Sequence, residues 1–309
     1  MTVRVLGDTD VVNGLTMKES IELMTTACRR HADGQLAAPA RLVAPLQSGE
    51  LVFTAGSYRD QAGDRIGFRV YDLMQLGSAT RDELVAVFDS DGGALIGLVT
   101  GSTLGPLRTG AIGGVAIDSL ARPDASCLAL IGTGKQARTQ LEAACLVRQF
   151  NVVRAFSRNA DRCQAFCHEM SATTGIAIEP ADSAQAAVAD AHVVICSTLS
   201  KTPVVEADWI APGTHLQNVG PKFRNNNELP TELYSAADVL VTDAPAQLQD
   251  CGDNFVMAGT THADRFVSLG NVIAGTAEGR TDPRQISLFC SLGLAGTEVA
   301  LADRLLQTQ

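Results

Sequence analysis

The chain has little positive charge and no long apolar run. Lysine and arginine number 24 against 34 aspartates and glutamates, a net charge of −10. An acidic surface repels phosphate backbones and anionic headgroups, which argues against non-specific binding to nucleic acid or membrane. No segment approaches the ~18 consecutive apolar residues of a membrane span. The opening residues, MTVRVLGDTD, lack the apolar core of a secretion signal, so a cytoplasmic location is expected. No repeat of about 20–50 residues and no low-complexity tract is present. Cysteine is not scarce, at eight residues, but none form paired motifs. In a reducing compartment they read as small buried hydrophobes. Cys163, Cys167 and His168 come nearest to a metal cluster; they lack a fourth ligand and a second paired motif, so no metal site is assigned.

What is present suffices for two domains and a large core: 309 residues, 46% hydrophobic and 19% charged. The informative stretch is 127–158. An apolar run, Cys127 to Ile131, leads into Gly132, Gly134 and Ala137, a G-x-G-x-x-[GA] match. A helical pattern follows, with Ala137, Leu141, Ala144 and Cys145 on one face, and then a second strand, Val152 to Phe156. Strand, glycine turn, helix and strand together are the context that the dinucleotide fingerprint requires. Gly132 permits the tight turn, Gly134 lets the backbone approach a pyrophosphate, and Ala137 lets the helix pack on the sheet. The unpaired N–H groups of the helix start, around Thr133, Lys135 and Gln136, then face the phosphates.

An NAD site usually carries Asp or Glu at the end of the second strand, about 20 residues on, for the ribose 2′-hydroxyl. Here Ser157 and Arg158 occupy it. A hydroxyl and a guanidinium suit a 2′-phosphate, so NADP(H) is preferred over NAD(H). The competing reading makes Arg158 a solvated surface charge.

Elsewhere, Val3 to Leu6 reads as a short strand, and Thr16-Met17-Lys18-Glu19 as a capping box for a helix that buries Ile21, Met24, Ala27 and Cys28. Apolar or alternating runs follow near 41–45, 51–55, 66–71, 84–89 and 94–100, the last two joined by a turn at Asp91-Gly92-Gly93. From Arg108 a helical stretch rich in Gly and Ala suits close packing. Strands at 192–196, 214–219 and 239–242 extend a parallel sheet, with Ser197–Ser200 and Gly220–Lys222 in the loops at strand ends where such folds bind ligands. From Pro283 the pattern reads as helical, interrupted at Ser291-Leu292-Gly293, with a last helix over about 294–306. His215 falls in a core strand and reads as structural. Trp209 and residues 246–270 carry no motif.

These segments together resemble the ornithine cyclodeaminase/mu-crystallin family, over nearly the whole chain. The residues that carry the likeness are PAR at 39–41, GFR at 67–69, LRTGA at 107–111, LALIGTGKQA at 128–137, CSTLSKTPVV at 196–205, GTHLQNVG at 213–220 and SLFCSLG at 287–293. The resemblance implies an α/β fold: a Rossmann doubly wound parallel sheet, residues 114–290, inserted in an α+β dimerisation and substrate domain, residues 1–113 plus 291–309. It implies a homodimer that binds NAD(P) and acts on small amino or imino acids. Arg41 and Arg108 match the arginines that hold substrate, and Thr109 matches the threonine near the cofactor phosphates. Ser197, Thr198, Val219, Gly220, Ser291 and Gly293 fall on cofactor-binding positions.

Two positions depart from the cyclodeaminase pattern. Arg69 replaces the family's G-x-K lysine, and Lys222 replaces an acid that takes part in proton transfer. A guanidinium does not titrate near neutrality, so Arg69 cannot serve as an acid or base. Both departures argue against ornithine cyclisation; mu-crystallins also lack that acid, which fits reductase chemistry. The expected activity is therefore reduction of a small cyclic or linear α-imino acid by hydride transfer from NADPH. Arg108, with Arg41 or Arg69, would bind the carboxylate, and Lys222 would supply the proton. Three cations in one pocket would also suit a dicarboxylic imino acid. The alternatives are an ornithine cyclodeaminase using NAD+ catalytically and a mu-crystallin-like NADPH-binding protein with little turnover. An alanine-type dehydrogenase is disfavoured by the Ser157–Arg158 pair.

Overall fold

Burial sorts the strands into two kinds. Those of the N-terminal third alternate between covered and half-exposed residues. Five of the later ones, such as Cys127-Leu128-Ala129-Leu130-Ile131, are covered on every residue. The first kind suits an antiparallel sheet with one open face, the second a parallel sheet covered on both. A computed structural model describes residues 3–59, 63–72 and 82–308.

The first sheet contains β1 (Arg4–Leu6), β2 (Leu36–Ala37), β3 (Leu42–Leu46), β4 (Gly49–Tyr58), β5 (Arg65–Asp72), β6 (Glu83–Asp89) and β7 (Leu95–Gly101). Its order is β1-β7-β6-β5-β4-β2, with β3 also paired to β4. Only β1 runs parallel to its neighbour. The turn between β6 and β7 lies where the glycines place it, with Gly92 N donating to Asp89 Oδ2 at 3.0 Å.

The second sheet holds β8 (Cys127–Ile131), β9 (Val152–Phe156), β10 (Ile178–Pro180), β11 (Val193–Cys196) and β12 (His215–Asn218). After a small hairpin, β13 (Lys222–Phe223) with β14 (Asn226–Asn227), come β15 (Val239–Thr242), β16 (Val267–Ser268) and β17 (Ser287–Cys290). The order β10-β9-β8-β11-β12-β17-β15-β16 is parallel throughout. Its left half is the Rossmann 3-2-1-4-5 order, and the strand order reverses beside β8.

Helices α1 (Asp8–Gly14), α2 (Met17–Ala32), α3 (Leu104–Leu120), α4 (Lys135–Val147), α5 (Ala160–Thr174), α6 (Ala184–Val188), α7 (Thr231–Ala236), α8 (Pro245–Asp250), α9 (Leu269–Ala274) and α10 (Thr297–Thr308) fill the layers between and around the sheets. The Gly/Ala stretch expected to pack closely is α3. Its Gly110 lies against Thr139 of α4, Gly114 against Ala143, and Gly113 against Gln140 and Gln217. The helix runs unbroken across positions 113 and 114. Val85 and Val87 of the first sheet and Val241 and Phe289 of the second share one core with it. Among the described residues no helix is long and apolar enough to cross a membrane.

Three expectations change. Residues 287–290 form β17, a fully buried central strand, not a helix. A short apolar run between turn residues has no period that tells a buried strand from a buried helix. The last helix begins at Thr297 rather than Leu294, because Gly293 and Gly296 hold left-handed φ of +87° and +80°. The capping box at Thr16 is half made: Thr16 Oγ1 accepts from Glu19 N at 3.1 Å, while the Glu19 carboxylate reaches Arg304 at 2.6 Å.

Candidate active site

The carboxyl ends of β8, β9, β11, β12 and β17 open onto one cleft. Gly132 turns out of β8 with φ +107°, and its N–H donates to Phe156 O at 2.9 Å. Helix α4 starts at Lys135, and its first intrahelical bond is Arg138 N to Gly134 O at 3.4 Å. The amides of Lys135, Gln136 and Ala137 therefore precede the ladder and face the cleft. A Cβ on Gly134 would meet nothing within 4 Å, so the space before the helix start is open. Gln136 Oε1 is buried there without a partner among the described residues. The open space and the early amides, all donors, fit a dinucleotide pyrophosphate, whereas Gln136 Oε1, an acceptor, suits a donor group instead.

The turn is braced from behind by a residue that the motif does not name. Arg138 donates to Thr133 O (3.0 Å) and Gly134 O (3.2 Å), pairs with Glu169 of α5 (2.6 Å) and lies over the Phe166 ring. Lys135 crosses to Ser102 Oγ, 2.7 Å away at the end of β7. Ser157 is half-buried and Arg158 exposed at the end of β9. Ser197 N bonds Ile131 O, Val219 N bonds Cys196 O and Ser291 N bonds Asn218 O, at 2.9, 2.9 and 3.0 Å. Each of those residues thus lies one step beyond its strand. Thr109 turns inward: its Oγ1 returns to Gly105 O (2.9 Å), and its carbonyl accepts from Gln140 of α4 (2.9 Å).

Across the cleft, four charged residues from distant parts of the chain converge on Ser291-Leu292-Gly293. Lys222 Nζ donates to Ser291 O at 2.8 Å, and Arg41 donates to Leu292 O. Gly293 packs against the Arg108 guanidinium, so a Cβ added there would sit 3.0 Å from NH1. The Asp243 carboxylate accepts the N–H groups of Leu292 (2.8 Å), Gly293 (2.9 Å) and Leu294 (3.3 Å), and so fixes the loop.

The three arginines are not equivalent. Arg69 is saturated: Nε and NH2 go to Glu83, NH1 goes to Glu298 at 3.0 Å, and the guanidinium lies 4.2 Å from the centroid of Tyr71. Arg41 spends its backbone N and Nε on Gln247 Oε1, both at 2.9 Å. Gln247 lies in α8, in the stretch without a motif, and no sequence signal marked it. Arg108, only 4% exposed, gives NH2 to Glu298, and its Nε and NH1 have no partner among the described residues. Burial pushes the Glu298 carboxyl up, but Arg108 and Arg69 together hold it below the usual carboxylate range. An orphaned guanidinium edge in a dry site is costly unless something binds it, and a carboxylate fits its fork.

Lys222 is 4% exposed, with Nζ bonded to Gly220 O at 2.6 Å as well as to Ser291 O. Burial pulls its ammonium below the ordinary lysine range, against Cys290, Glu228 and Asp243, which push it up. His215 is as structural as its strand suggested. It lies 2.9 Å from Ser287 Oγ, and burial holds it neutral with a pKa of about 3.

A parallel sheet with a glycine-turn cradle, facing a second layer that offers a buried arginine edge, defines a Rossmann dinucleotide protein with a site for a small acid. The chain belongs to the ornithine cyclodeaminase/mu-crystallin family, whose model matches residues 2–307. It is 31% identical over 250 residues to a delta(1)-pyrroline-2-carboxylate reductase of Bacillus cereus, covering 78% of this chain and 77% of the relative. The Thermococcus litoralis delta(1)-pyrroline-2-carboxylate reductase, solved with NADH and L-proline, superposes with a TM-score of 0.86 at 28% identity, covering 98% of this chain and 96% of that one. An archaeal alanine dehydrogenase dimer with bound NAD superposes with a TM-score of 0.87 at 25% identity, covering 99% and 96%.

Proposed function

We propose that the protein reduces a small cyclic or linear α-imino acid of the pyrroline-2-carboxylate type, with NADPH as its preferred cofactor. The observation that carries this reading is the buried, half-partnered Arg108 beside the glycine-turn cradle. NH1 and the second hydrogen of NH2 form the fork for the substrate carboxylate. The third hydrogen of the Lys222 ammonium goes to the imine nitrogen. Bound NADPH supplies the hydride for the imine carbon. Residues 114–290 hold the cofactor in this reading, and residues 1–113 with 291–309 hold the substrate. Arg69 and Arg41 act on the wall of the site in this reading, since every guanidinium nitrogen of each already has a partner within the chain. The test is NADPH oxidation with a panel of cyclic and linear imino acids. NADPH binding without turnover would favour a binding protein, and ammonia release from diamino acids a cyclodeaminase.

The NADPH preference rests on Ser157 and Arg158, while the two solved structures named above hold NADH or NAD. Ser157→Asp places a carboxylate where a 2′-phosphate would lie, so the ratio of NADPH to NADH affinity is expected to fall by about 100-fold through like-charge repulsion. An unchanged ratio in fluorescence titration would reject this reading of the strand end.

The protein works, in this reading, as a cytoplasmic homodimer joined through the first sheet. Helix α10 covers one face of that sheet, where Val299 meets Gly67 and Leu306 meets Gly97. The opposite face is apolar: Phe53, Val70 and Leu84 lie in one cross-strand row, and Ala55, Phe68 and Ala86 in the next. Ile66 and Leu42 are 43% and 65% exposed. Such a patch is a liability on a monomer. Phe68→Asp is expected to weaken self-association at least ~100-fold, since a buried charge without a partner is costly. A light-scattering mass that stays dimeric at micromolar concentration would remove the sheet from the interface.

A further inference from the structure

Glu228 follows the β13–β14 hairpin and is fully buried. Nothing in the sequence pattern marked it. Its Oε2 accepts from Thr198 N at 2.9 Å and Thr198 Oγ1 at 2.8 Å, and its Oε1 accepts from Gly220 N. One carboxylate therefore ties together the loops that leave β11 and β12. The carbonyl of the same Gly220 accepts from Lys222 Nζ at 2.6 Å. The hairpin closes the arrangement, with Glu228 N donating to Pro221 O at 3.0 Å. With its amide turned so that Nδ2 faces Gly220 O and Glu228 Oε1, both at 3.1 Å, Asn218 completes the ring, and its Oδ1 accepts from Tyr234 at 2.6 Å. No slack remains: a Cβ on Gly220 would overlap both Glu228 Oε2 and Thr198 O.

We propose that Glu228 is a positioning residue for the proton donor: its carboxylate fixes Gly220, and through Gly220 the Lys222 ammonium, while it fixes Thr198 on the cofactor side. The proposal rests on the reading of Lys222 as the acid of an imine reduction. Five titratable or charged groups face Lys222: Glu228, Cys290 on β17, Asp243 after β15, Arg41 before β3 and Cys251 after α8. Glu228 is also faced by Cys196 on β11 and Tyr234 on α7. Burial pushes the Cys290 thiol to about 12 and raises Cys251, Cys196 and Tyr234 as well, so these four stay neutral. Asp243 spends its oxygens on the 292–294 amides. Glu228 is the carboxylate tied to Lys222 through a single residue; burial raises its own carboxyl, the Thr198 and Gly220 donors and Lys222 favour its charge, and that charge works against the burial that pulls the ammonium down.

The acid must be protonated to act, so turnover falls as pH rises through the Lys222 pKa. Removing the Glu228 charge lowers that pKa further, so the alkaline limb moves to lower pH. Lys222 can also be watched without turnover, because Lys18, Lys135 and Lys201 are the only other lysines and their 13Cε signals are assignable by substitution. In Glu228→Gln, both the alkaline limb of kcat/KM and the 13Cε midpoint of Lys222 are expected to fall by about one pH unit. Glu228→Asp keeps the charge on a shorter arm and is expected to lie between the two, which leaves the idea testable even if the glutamine variant does not fold. A limb and a midpoint unchanged in both variants would overturn the proposal. A shifted midpoint with no imine turned over would uphold the positioning and reject the reductase reading. Turnover by Lys222→Met with its alkaline limb intact would remove the lysine from the reaction and the proposal with it.

Discussion

Arg108→Lys is expected to lower kcat/KM for the imino acid by roughly 1,000-fold, in line with the 2–5 kcal/mol lost when one partner of a buried charge pair is truncated. The Glu298 carboxylate is 1% exposed, and its Oε1 takes both Arg108 and Arg69. Lysine keeps a positive charge near it, so the internal pair survives and the fold should too. What lysine cannot keep is the planar fork, in which NH1 and the second hydrogen of NH2 present two parallel N–H groups to an incoming carboxylate. Loss of the fork weakens substrate in the ground state and misaligns it for reaction, so KM should rise and kcat fall together. Arg108→Met makes the contrast. It leaves Glu298 with Arg69 alone in a dry site and should cost stability as well as activity, visible as a lower melting temperature. A lysine variant within tenfold of the native kcat/KM would move the carboxylate site away from Arg108.

Much of this site was legible in the sequence, for reasons that differ from residue to residue. The glycine turn, the β8–α4–β9 unit and the loops at 197–198 and 220–222 could be read because local pattern fixes them: apolar runs make buried strands, and ligand loops follow strand ends. The close packing of α3 could be read because Gly and Ala at helical spacing leave no side chain in the way. Arg69 was legible as a site residue but not as a saturated one. Glu83 and Glu298, which engage it, lie 14 and 229 residues away, and charge pairing at such distances leaves no local trace. Gln247 and Glu228 were invisible for the same reason: a half-buried amide or a buried carboxylate acquires its role from partners that only the fold brings near. The strand at 287–290 was missed because four buried residues, three of them apolar, have no period to read. The cations of the pocket could be counted in the sequence, but not the partners interleaved among them: Glu83 and Glu298 engage Arg69, and Gln247 takes Arg41 Nε.

The two glycines of the turn are expected to fail differently when each is given a methyl group. At Gly132 the backbone holds φ +107°, a region that L-residues seldom adopt, and a Cβ would overlap the Ser197 carbonyl oxygen and crowd its carbon at 2.9 Å. Those atoms are main chain of the loop after β11, which Glu228 pins through Thr198, so neither side can yield cheaply. Gly132→Ala should therefore lose stability, about 2 kcal/mol or more from the strained φ and the overlap. It should also lose at least ~100-fold in NADPH affinity, since the turn and the Ser197–Thr198 loop move together. At Gly134 the backbone sits at φ −82°, ordinary for any residue, and a Cβ would meet nothing within 4 Å. Gly134→Ala should leave the melting temperature unchanged and still weaken NADPH, because the methyl enters the open space where the pyrophosphate would approach the helix start. Calorimetry and cofactor titration on the two variants separate the cases. If Gly134→Ala binds NADPH as tightly as the native chain, the pyrophosphate does not approach the helix at that point, and the cradle lies elsewhere along the strand ends.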